Sequence, residues 1–145
     1  MLGKFKHYAI AAALAGLIVT GAPALADTVT YKADMNAASE TPPTDSKGTG
    51  SLTATYDTVT KMLKWQGSYS DLTGPETAAH FHGPAPVGKA AGVAVPIEAA
   101  KSPFEGSSTL TDAQAADLAA GNWYVNIHTG KNPKGEIRGQ VVKAN

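Results

Sequence analysis

The fold is decided by residues 122–142, which read NWYVNIHTGKNPKGEIRGQVV. Apolar side chains alternate with polar ones at Trp123, Val125 and Ile127, which is the period of a β-strand with one face against a core. A stretch with glycine and proline at 130–135 breaks the pattern, and a second alternating run follows over 136–142. These two runs predict an antiparallel hairpin whose odd-numbered residues face the core.

Outward from this hairpin, the same alternation occurs along most of the chain. It predicts strands over 28–35, 52–56, 62–69 and 77–82, with weaker strand candidates over 93–97 and 104–110. Short segments with glycine, proline and aspartate separate these runs, as turns between strands do. Gly67 lies inside one run, where it indicates a bulge or a close backbone approach.

Alanine-rich residues 113–120 predict the single helix. Thr111 is placed to cap it, and Gln114 three residues later completes a capping box. Gly121 follows the run and is a typical residue for a helix end. We therefore predict an all-β fold, an antiparallel Greek-key-like sandwich or flattened barrel with one short crossover helix.

Residues 1–26 have the pattern of a secretory signal peptide. Lys4 and Lys6 give a positive start, residues 8–20 are apolar, and small residues at 24–26 mark a cleavage site. The apolar run is shorter than the roughly 20 residues that span a bilayer, so we expect no membrane insertion after processing. We therefore expect an exported protein, periplasmic or extracellular, whose mature part, residues 27–145, forms a single domain.

The composition narrows the functional classes. The chain has no cysteine, which excludes disulfides and thiolate metal ligands. Lys+Arg and Asp+Glu each total 12, and no basic block is present, so nucleic acid is excluded as a partner. The sequence has no Gly-x-Ser-x-Gly elbow and no other hydrolase or transferase motif. We expect no enzyme activity beyond weak copper redox activity, and the sequence indicates no particular protein partner.

Three histidines lie in the predicted mature domain, at His80, His82 and His128. His80 and His82 are two residues apart in one strand, so they share a face about 6.6 Å apart. Alternation also places His128 on the face opposite the core, and we expect all three imidazoles on outer or mouth-facing surfaces. They predict a mononuclear site for Cu(II) or Zn(II), with copper favoured by the Irving–Williams order.

Polar residues of the hairpin are expected beside His128. By alternation Asn126, Glu136 and Arg138 share its side of the hairpin, and such neighbours commonly orient a ligating imidazole. Alternatively, Glu136 and Arg138 form an ordinary salt bridge. The histidines also have an alternative role, since they can brace the glycine–proline turns through hydrogen bonds to the backbone. In that case the protein is a non-metal extracellular binding or structural module.

Three segments resemble the CHRD domain, which is named for its repeats in chordin. They read AHFHGPA at 79–85, WYVNIHT at 123–129 and NPKGEIRGQ at 132–140. The resemblance covers residues 30–142, nearly the whole predicted mature chain, and it implies a bacterial, single-domain, exported member of the family. In chordin these domains belong to a secreted antagonist of growth factors. The resemblance thus implies an extracellular role, and it carries over no settled enzymatic activity.

Overall fold

The computed structural model describes residues 20–23, 25–98 and 100–145. The predicted signal peptide lies largely outside these residues, so it stays a prediction. The described elements are, in chain order, β1 (Thr28–Asn36), a 3-10 turn (Ala37–Ser39), β2 (Thr49–Asp57), β3 (Met62–Ser70), β4 (Glu76–His82), β5 (Val93–Pro96), β6 (Phe104–Thr109), α1 (Asp112–Ala119), β7 (Trp123–Thr129) and β8 (Ile137–Lys143). Each predicted strand and the predicted helix are confirmed, with ends that differ by a few residues.

The strands form one antiparallel sheet in the order β5-β4-β7-β8-β1-β2-β3-β6. The sheet curls until its two halves share one core. Trp65 of β3 and Phe81 of β4 lie on distant strands of the sheet, yet their rings meet edge to face with centroids 5.1 Å apart. The sheet is therefore nearly closed, and the predicted flattened barrel is confirmed.

The core consists of the inward-facing residues of the strands, as period-two alternation requires. Trp123 and Phe81 are completely buried within it, with ring centroids 5.8 Å apart. The helix α1 adds Leu118, which is also buried. Burial of these large side chains is the main stabilising contribution in a domain that has no disulfide.

Two glycines allow aromatic side chains of neighbouring strands to lie close to the backbone. Gly67 of β3 pairs with Phe104 of β6, and Gly106 of β6 pairs with Trp65 of β3. A Cβ atom at Gly67 would come within 2.5 Å of the Phe104 ring, and one at Gly106 within 2.6 Å of the Trp65 indole. The close backbone approach predicted at Gly67 is therefore confirmed, and a larger residue there would displace a core aromatic side chain.

The helix α1 begins and ends as its sequence predicts. The Gln114 backbone N–H donates to Thr111 Oγ1 at 3.1 Å, and the Thr111 backbone N–H donates to Gln114 Oε1 at 3.0 Å, which completes the capping box. Gly121 then ends the helix in the left-handed conformation, with a φ of 77°. Within the described part of the chain, no helix is both long and apolar enough to cross a membrane.

Candidate metal centre

Strands β4 and β7 lie side by side and bring the three predicted histidines to one face of the sheet. In the register of this pair, His80 lies opposite Asn126 and His82 lies opposite Tyr124. His128 is two residues beyond Asn126 on β7, and therefore on the same face. Asn126 is thus the central residue of a patch formed with the three histidines, which we call the histidine cluster.

The three imidazoles lie close enough to share a metal ion. One ring nitrogen from each histidine lies within 4.8 Å of the other two. His80 Nδ1 and His128 Nε2 are 3.2 Å apart. Two nitrogens bound to one ion at about 2.0–2.1 Å are about 3–4 Å apart, so the His80–His128 pair already has a suitable separation and the most distant pair must close by at most about 2 Å. Side-chain rotation supplies a movement of that size.

The histidine cluster is more buried than alternation in the sequence predicts. His82 and His128 are 8% and 9% exposed, and His80 is half-buried. Every residue of β7 is buried, because its core side is packed and loop residues contact its other side. The expectation of outer-surface positions is therefore wrong for His82 and His128, although all three histidines lie on the face opposite the core.

Two loops hold the rings of the buried histidines. His82 Nδ1 lies 3.0 Å from the carbonyl oxygen of Ala91, and His128 Nδ1 lies 3.0 Å from that of Pro133. Because a carbonyl oxygen only accepts hydrogen bonds, both Nδ1 atoms carry a proton and donate it, and in a neutral ring Nε2 then carries the lone pair. Metal-binding histidines have this arrangement, in which one ring nitrogen donates to the backbone and the other binds the ion.

His82 Nε2 has a further property that favours a ligand role. This nitrogen is buried, and among the described residues it has no hydrogen-bond partner. A buried polar atom left in that state costs about 1–3 kcal/mol. The His82 ring centroid is 5.3 Å from that of His80 and 6.2 Å from that of His128. The lone pair is therefore available inside the cluster.

The environment favours the neutral form of two of the imidazoles. Burial lowers the pKa of His80, and the neighbouring His128 and His82 lower it further. Burial also lowers the pKa of His82, against the opposing effect of its hydrogen bond to Ala91. A lower pKa extends the pH range in which the ring is uncharged, and only an uncharged imidazole binds a metal ion.

Asn126 is fixed by a carboxylate that the sequence did not indicate. Its Nδ2 donates to Glu40 Oε1 at 3.1 Å, and its Oδ1 lies 2.9 Å from His128 Nε2. Asn126 and Glu40 are 2% and 4% exposed. Glu40 lies in the loop after the 3-10 turn, 86 residues before its partner. No spacing or motif in the sequence connects the two residues.

Tyr124 links the histidine cluster to Arg138. The His82 ring stacks on the Tyr124 ring with parallel planes, at a centroid distance of 4.8 Å. The Arg138 guanidinium lies 3.5 Å from the centroid of the same ring and donates to Thr41 Oγ1 at 3.1 Å. Arg138 is completely buried. It therefore contacts the cluster through an aromatic ring, a cation–π contact, and not through a hydrogen bond to His128.

Glu136 does not lie where alternation predicts. It precedes the first residue of β8, so the strand does not fix the direction of its side chain. Its carboxylate accepts hydrogen bonds from the Ser46 hydroxyl, the Thr73 backbone N–H and hydroxyl, the Thr129 hydroxyl and the Asn132 amide. We call Glu136 and these four residues the carboxylate cluster. Within the described residues Glu136 contacts neither His128 nor Arg138, so the expected salt bridge is not formed.

The carboxylate cluster keeps Glu136 charged. Burial by itself raises the pKa of this carboxyl group, but the hydrogen bonds from Ser46, Thr129 and Thr73 outweigh that effect and lower the pKa to about 2. The exposed fraction of the side chain is zero. Glu136 is therefore a buried carboxylate whose charge is compensated by neutral donors.

Comparison with known proteins gives one family. The sequence profile of the CHRD domain matches residues 31–141. Searches of curated proteins and of solved structures found no match. The matched range includes the whole histidine cluster and all the strands except the ends of β1 and β8.

Proposed function

The chain belongs to the CHRD domain family, and we propose that this member is an exported protein that binds one Cu(II) or Zn(II) ion through His80, His82 and His128. One observation carries the proposal. Two buried imidazoles donate Nδ1–H to backbone carbonyl groups, and this leaves their Nε2 lone pairs inside a cluster with a third histidine. A divalent ion is the ligand that three such lone pairs fit.

The bracing role accounts for only part of this arrangement. Hydrogen bonds from His82 to Ala91 and from His128 to Pro133 do hold two loops on the sheet. They use only the Nδ1 atoms. Bracing gives no role to the buried Nε2 of His82, which lacks a partner in the described residues. It also gives no reason for three rings to share one patch, which adds repulsion when more than one of them is protonated.

The donor set favours copper over zinc. The chain offers no cysteine thiolate, and the cluster consists of imidazole nitrogens, which suit both ions. At equal availability, Cu(II) binds such nitrogen sites more tightly than Zn(II). A cleft of about 250 Å³, lined by His80, Pro96 and Glu98, reaches the half-buried histidine. His80 is therefore the proposed ligand that an ion from the solvent would meet first.

Metal titration of the purified mature domain tests the proposal. We expect one equivalent of Cu(II) to bind, with nitrogen hyperfine structure in the electron paramagnetic resonance (EPR) spectrum. His82→Ala and His128→Ala should each weaken affinity by roughly 100-fold or more, since even outer partners of metal ligands contribute 10–100-fold. Met62→Ala is the control, because Met62 lies on β3, which is not adjacent to β4 or β7, and its loss should leave affinity unchanged.

The same variants distinguish the alternative of a non-metal binding or structural module. If the histidines only brace the loops, His82→Ala and His128→Ala will lower the stability of the metal-free protein, and Cu(II) will bind no more tightly to wild type than to either variant. That pattern would favour the module and remove the metal site. If metal binding is their role, wild type will bind Cu(II) more tightly than either variant, in addition to any difference in the stability of the metal-free proteins.

Export is part of the proposal and has its own test. The expectation comes from Lys4, Lys6 and the apolar run over 8–20, followed by the small residues before Asp27. Mass spectrometry of the protein recovered outside the cytoplasm should give an N-terminus at Asp27. An intact Met1 on that protein would contradict processing.

A further inference from the structure

We propose that Asn126 supplies its Oδ1 atom as a fourth ligand of the metal ion, and that Glu40 holds the amide in the orientation this requires. The inference rests on the proposed metal centre and specifies its donor set as three nitrogens and one oxygen. It also assigns a role to Glu40.

The position of Asn126 is the first argument. The register of β4 and β7 places His80 directly across from it, with His82 on the diagonal and His128 two residues along the same strand. Side chains at such positions on one face of a sheet are nearest neighbours. An ion bound by all three histidines therefore lies over Asn126, whose side chain is 2% exposed.

The direction of the amide is the second argument. Asn126 Nδ2 donates to Glu40 Oε1 at 3.1 Å, which turns Oδ1 toward the histidines, 2.9 Å from His128 Nε2. The reversed amide would place its oxygen against the Glu40 carboxylate, where both atoms are acceptors. Glu40 is buried, with 4% of its surface exposed, so water does not readily replace this contact. The orientation with oxygen toward the cluster is therefore the one that Glu40 selects.

The contact between Asn126 Oδ1 and His128 Nε2 is the third argument. His128 donates its Nδ1 proton to the Pro133 carbonyl, so in the neutral ring Nε2 is an acceptor. Asn126 Oδ1 is an acceptor too, and two acceptors at 2.9 Å repel unless a cation lies beside them or a neighbouring N–H, such as that of His80 Nδ1 at 3.2 Å from Nε2, donates to them. A proton or a metal ion makes the contact favourable. A divalent ion bound by the histidines meets both atoms at once.

The Glu40 carboxylate also strengthens the proposed ligand. Its negative charge is one hydrogen bond away from the amide, and such a bond increases the electron density on the amide oxygen. Buried carboxylates that hydrogen-bond to a ligand commonly both orient it and raise its basicity. The same charge offsets part of the ion's charge in a site where all four proposed ligands are neutral.

Water exchange at bound Cu(II) tests the ligand role. In water enriched in oxygen-17, a water molecule bound in the plane of the nitrogen ligands broadens the Cu(II) EPR lines. Wild type should show little broadening, because Asn126 Oδ1 occupies that position. Asn126→Ala should admit a water molecule, broaden the lines and weaken Cu(II) affinity roughly 10–100-fold. Equal broadening in both proteins would overturn the proposal.

A double variant tests the same role even if Asn126→Ala does not fold. Exchange of the pair, Glu40→Gln with Asn126→Asp, keeps the hydrogen bond with its direction reversed and still presents an oxygen to the ion. This variant should show narrow lines like wild type, with affinity at least as high. Asn132→Ala is the matched control, because it removes another asparagine–glutamate hydrogen bond, at 3.2 Å, in the carboxylate cluster. The EPR spectrum of Asn132→Ala should equal that of wild type. Broadening in the double variant would overturn the role of Asn126.

The outcomes separate the two proposals. If wild type binds no Cu(II), the histidine centre fails and the Asn126 ligand fails with it. If wild type binds Cu(II) with nitrogen hyperfine structure and Asn126→Ala leaves the water broadening unchanged, only the fourth ligand is refuted.

Discussion

Two buried polar clusters lie at the β7–β8 hairpin, and they differ in how their hydrogen bonds are completed. In the carboxylate cluster, Glu136 accepts five hydrogen bonds from described residues. In the histidine cluster, His82 Nε2 has no partner within the described chain, and Asn126 Oδ1 lies 2.9 Å from His128 Nε2. The first cluster is complete with protein donors alone. The second cluster has more hydrogen-bond acceptors than donors, as a binding site for a cation has.

The difference indicates whether a buried polar cluster serves folding stability or ligand binding. Both clusters join the hairpin to the loop between the 3-10 turn and β2, since Ser46 donates to Glu136 and Glu40 accepts from Asn126. The donors around Glu136 favour its charged form, as its lowered pKa indicates, and so stabilise the folded chain. Buried lone pairs without donors cost stability unless a ligand binds them. We therefore expect substitutions in the carboxylate cluster to change folding, and substitutions in the histidine cluster to change metal affinity.

The largest effect is expected at Gly135, where the two clusters meet. Its φ is 128°, and a Cβ atom there would overlap Glu40 Oε1 and approach Asn126 Nδ2 to 2.6 Å. Backbone strain and overpacking each cost about 1–3 kcal/mol, so Gly135→Ala should lower the free energy of unfolding by about 4 kcal/mol. Urea denaturation measures it. Gly130→Ala is the control, because a Cβ at Gly130 meets no atom within 4 Å. Equal losses in both variants would contradict the account.

Glu136→Gln should have the next largest effect on folding. The pKa of Glu136 falls from 4.5 to about 2 on folding, which corresponds to about 3 kcal/mol of stability at neutral pH. Because the folded pKa is the lower one, this contribution is present above pH 4.5 and is lost as the pH falls toward 2. Glu136→Gln should lose it at neutral pH and show a flatter acid denaturation curve. The exposed Glu105→Gln serves as control. The Cu(II) affinity of folded Glu136→Gln should equal that of wild type. A large loss of affinity would contradict the assignment of the carboxylate cluster to folding and of the histidine cluster to metal binding.

Removal and addition of metal test the histidine cluster. The chelator-treated protein should keep a β-type far-ultraviolet circular dichroism spectrum, because its aromatic core is formed without metal. Cu(II) at about 100 times its dissociation constant should then add about 2.7 kcal/mol to the free energy of unfolding of wild type. His128→Ala at the same Cu(II) concentration should gain much less. Collapse of the chelated protein to a coil would instead make the metal an obligate structural element.

The smallest effect is expected from pH in the metal-free protein. The pKa values of His80 and His82 in the folded chain lie below the ordinary 6.5, mainly because of burial. Protonation therefore favours the unfolded chain: the stability is fully present above 6.5 and declines as the pH falls through the folded pKa values. Urea denaturation between about pH 7.5 and pH 5, above the range in which Glu136 titrates, should show this decline. The slope should be smaller in His82→Gln, and an unchanged slope would contradict the cause.

The sequence predicted most of the fold because alternation and capping are local. The strands and the capping box of Thr111 follow from residues a few positions apart. The pairing of His80 with His82 is local in the same way. Their approach to His128 depends on the register of β4 and β7, which no local pattern determines.

Three features of the site could not be predicted, each for a physical reason. Alternation tells which face a residue occupies and not what covers that face, so the burial of His82 and His128 was missed. Glu136 lies one residue before its strand, where alternation does not apply. Glu40 comes from an irregular loop, and only the folded chain brings it to Asn126. The contacts that loops make with a sheet therefore cannot be predicted from strand patterns alone.

Anomalous X-ray diffraction from crystals of the mature domain grown with one equivalent of Cu(II) tests the central claim most directly. We predict one strong peak at the copper absorption edge, about 2.0–2.1 Å from a ring nitrogen of each of His80, His82 and His128. The same peak should be absent from crystals of His82→Ala grown with Cu(II). A single wild-type peak bound elsewhere on the chain, or no ordered copper in well-diffracting wild-type crystals, would contradict the claim and leave the histidines as braces of their loops.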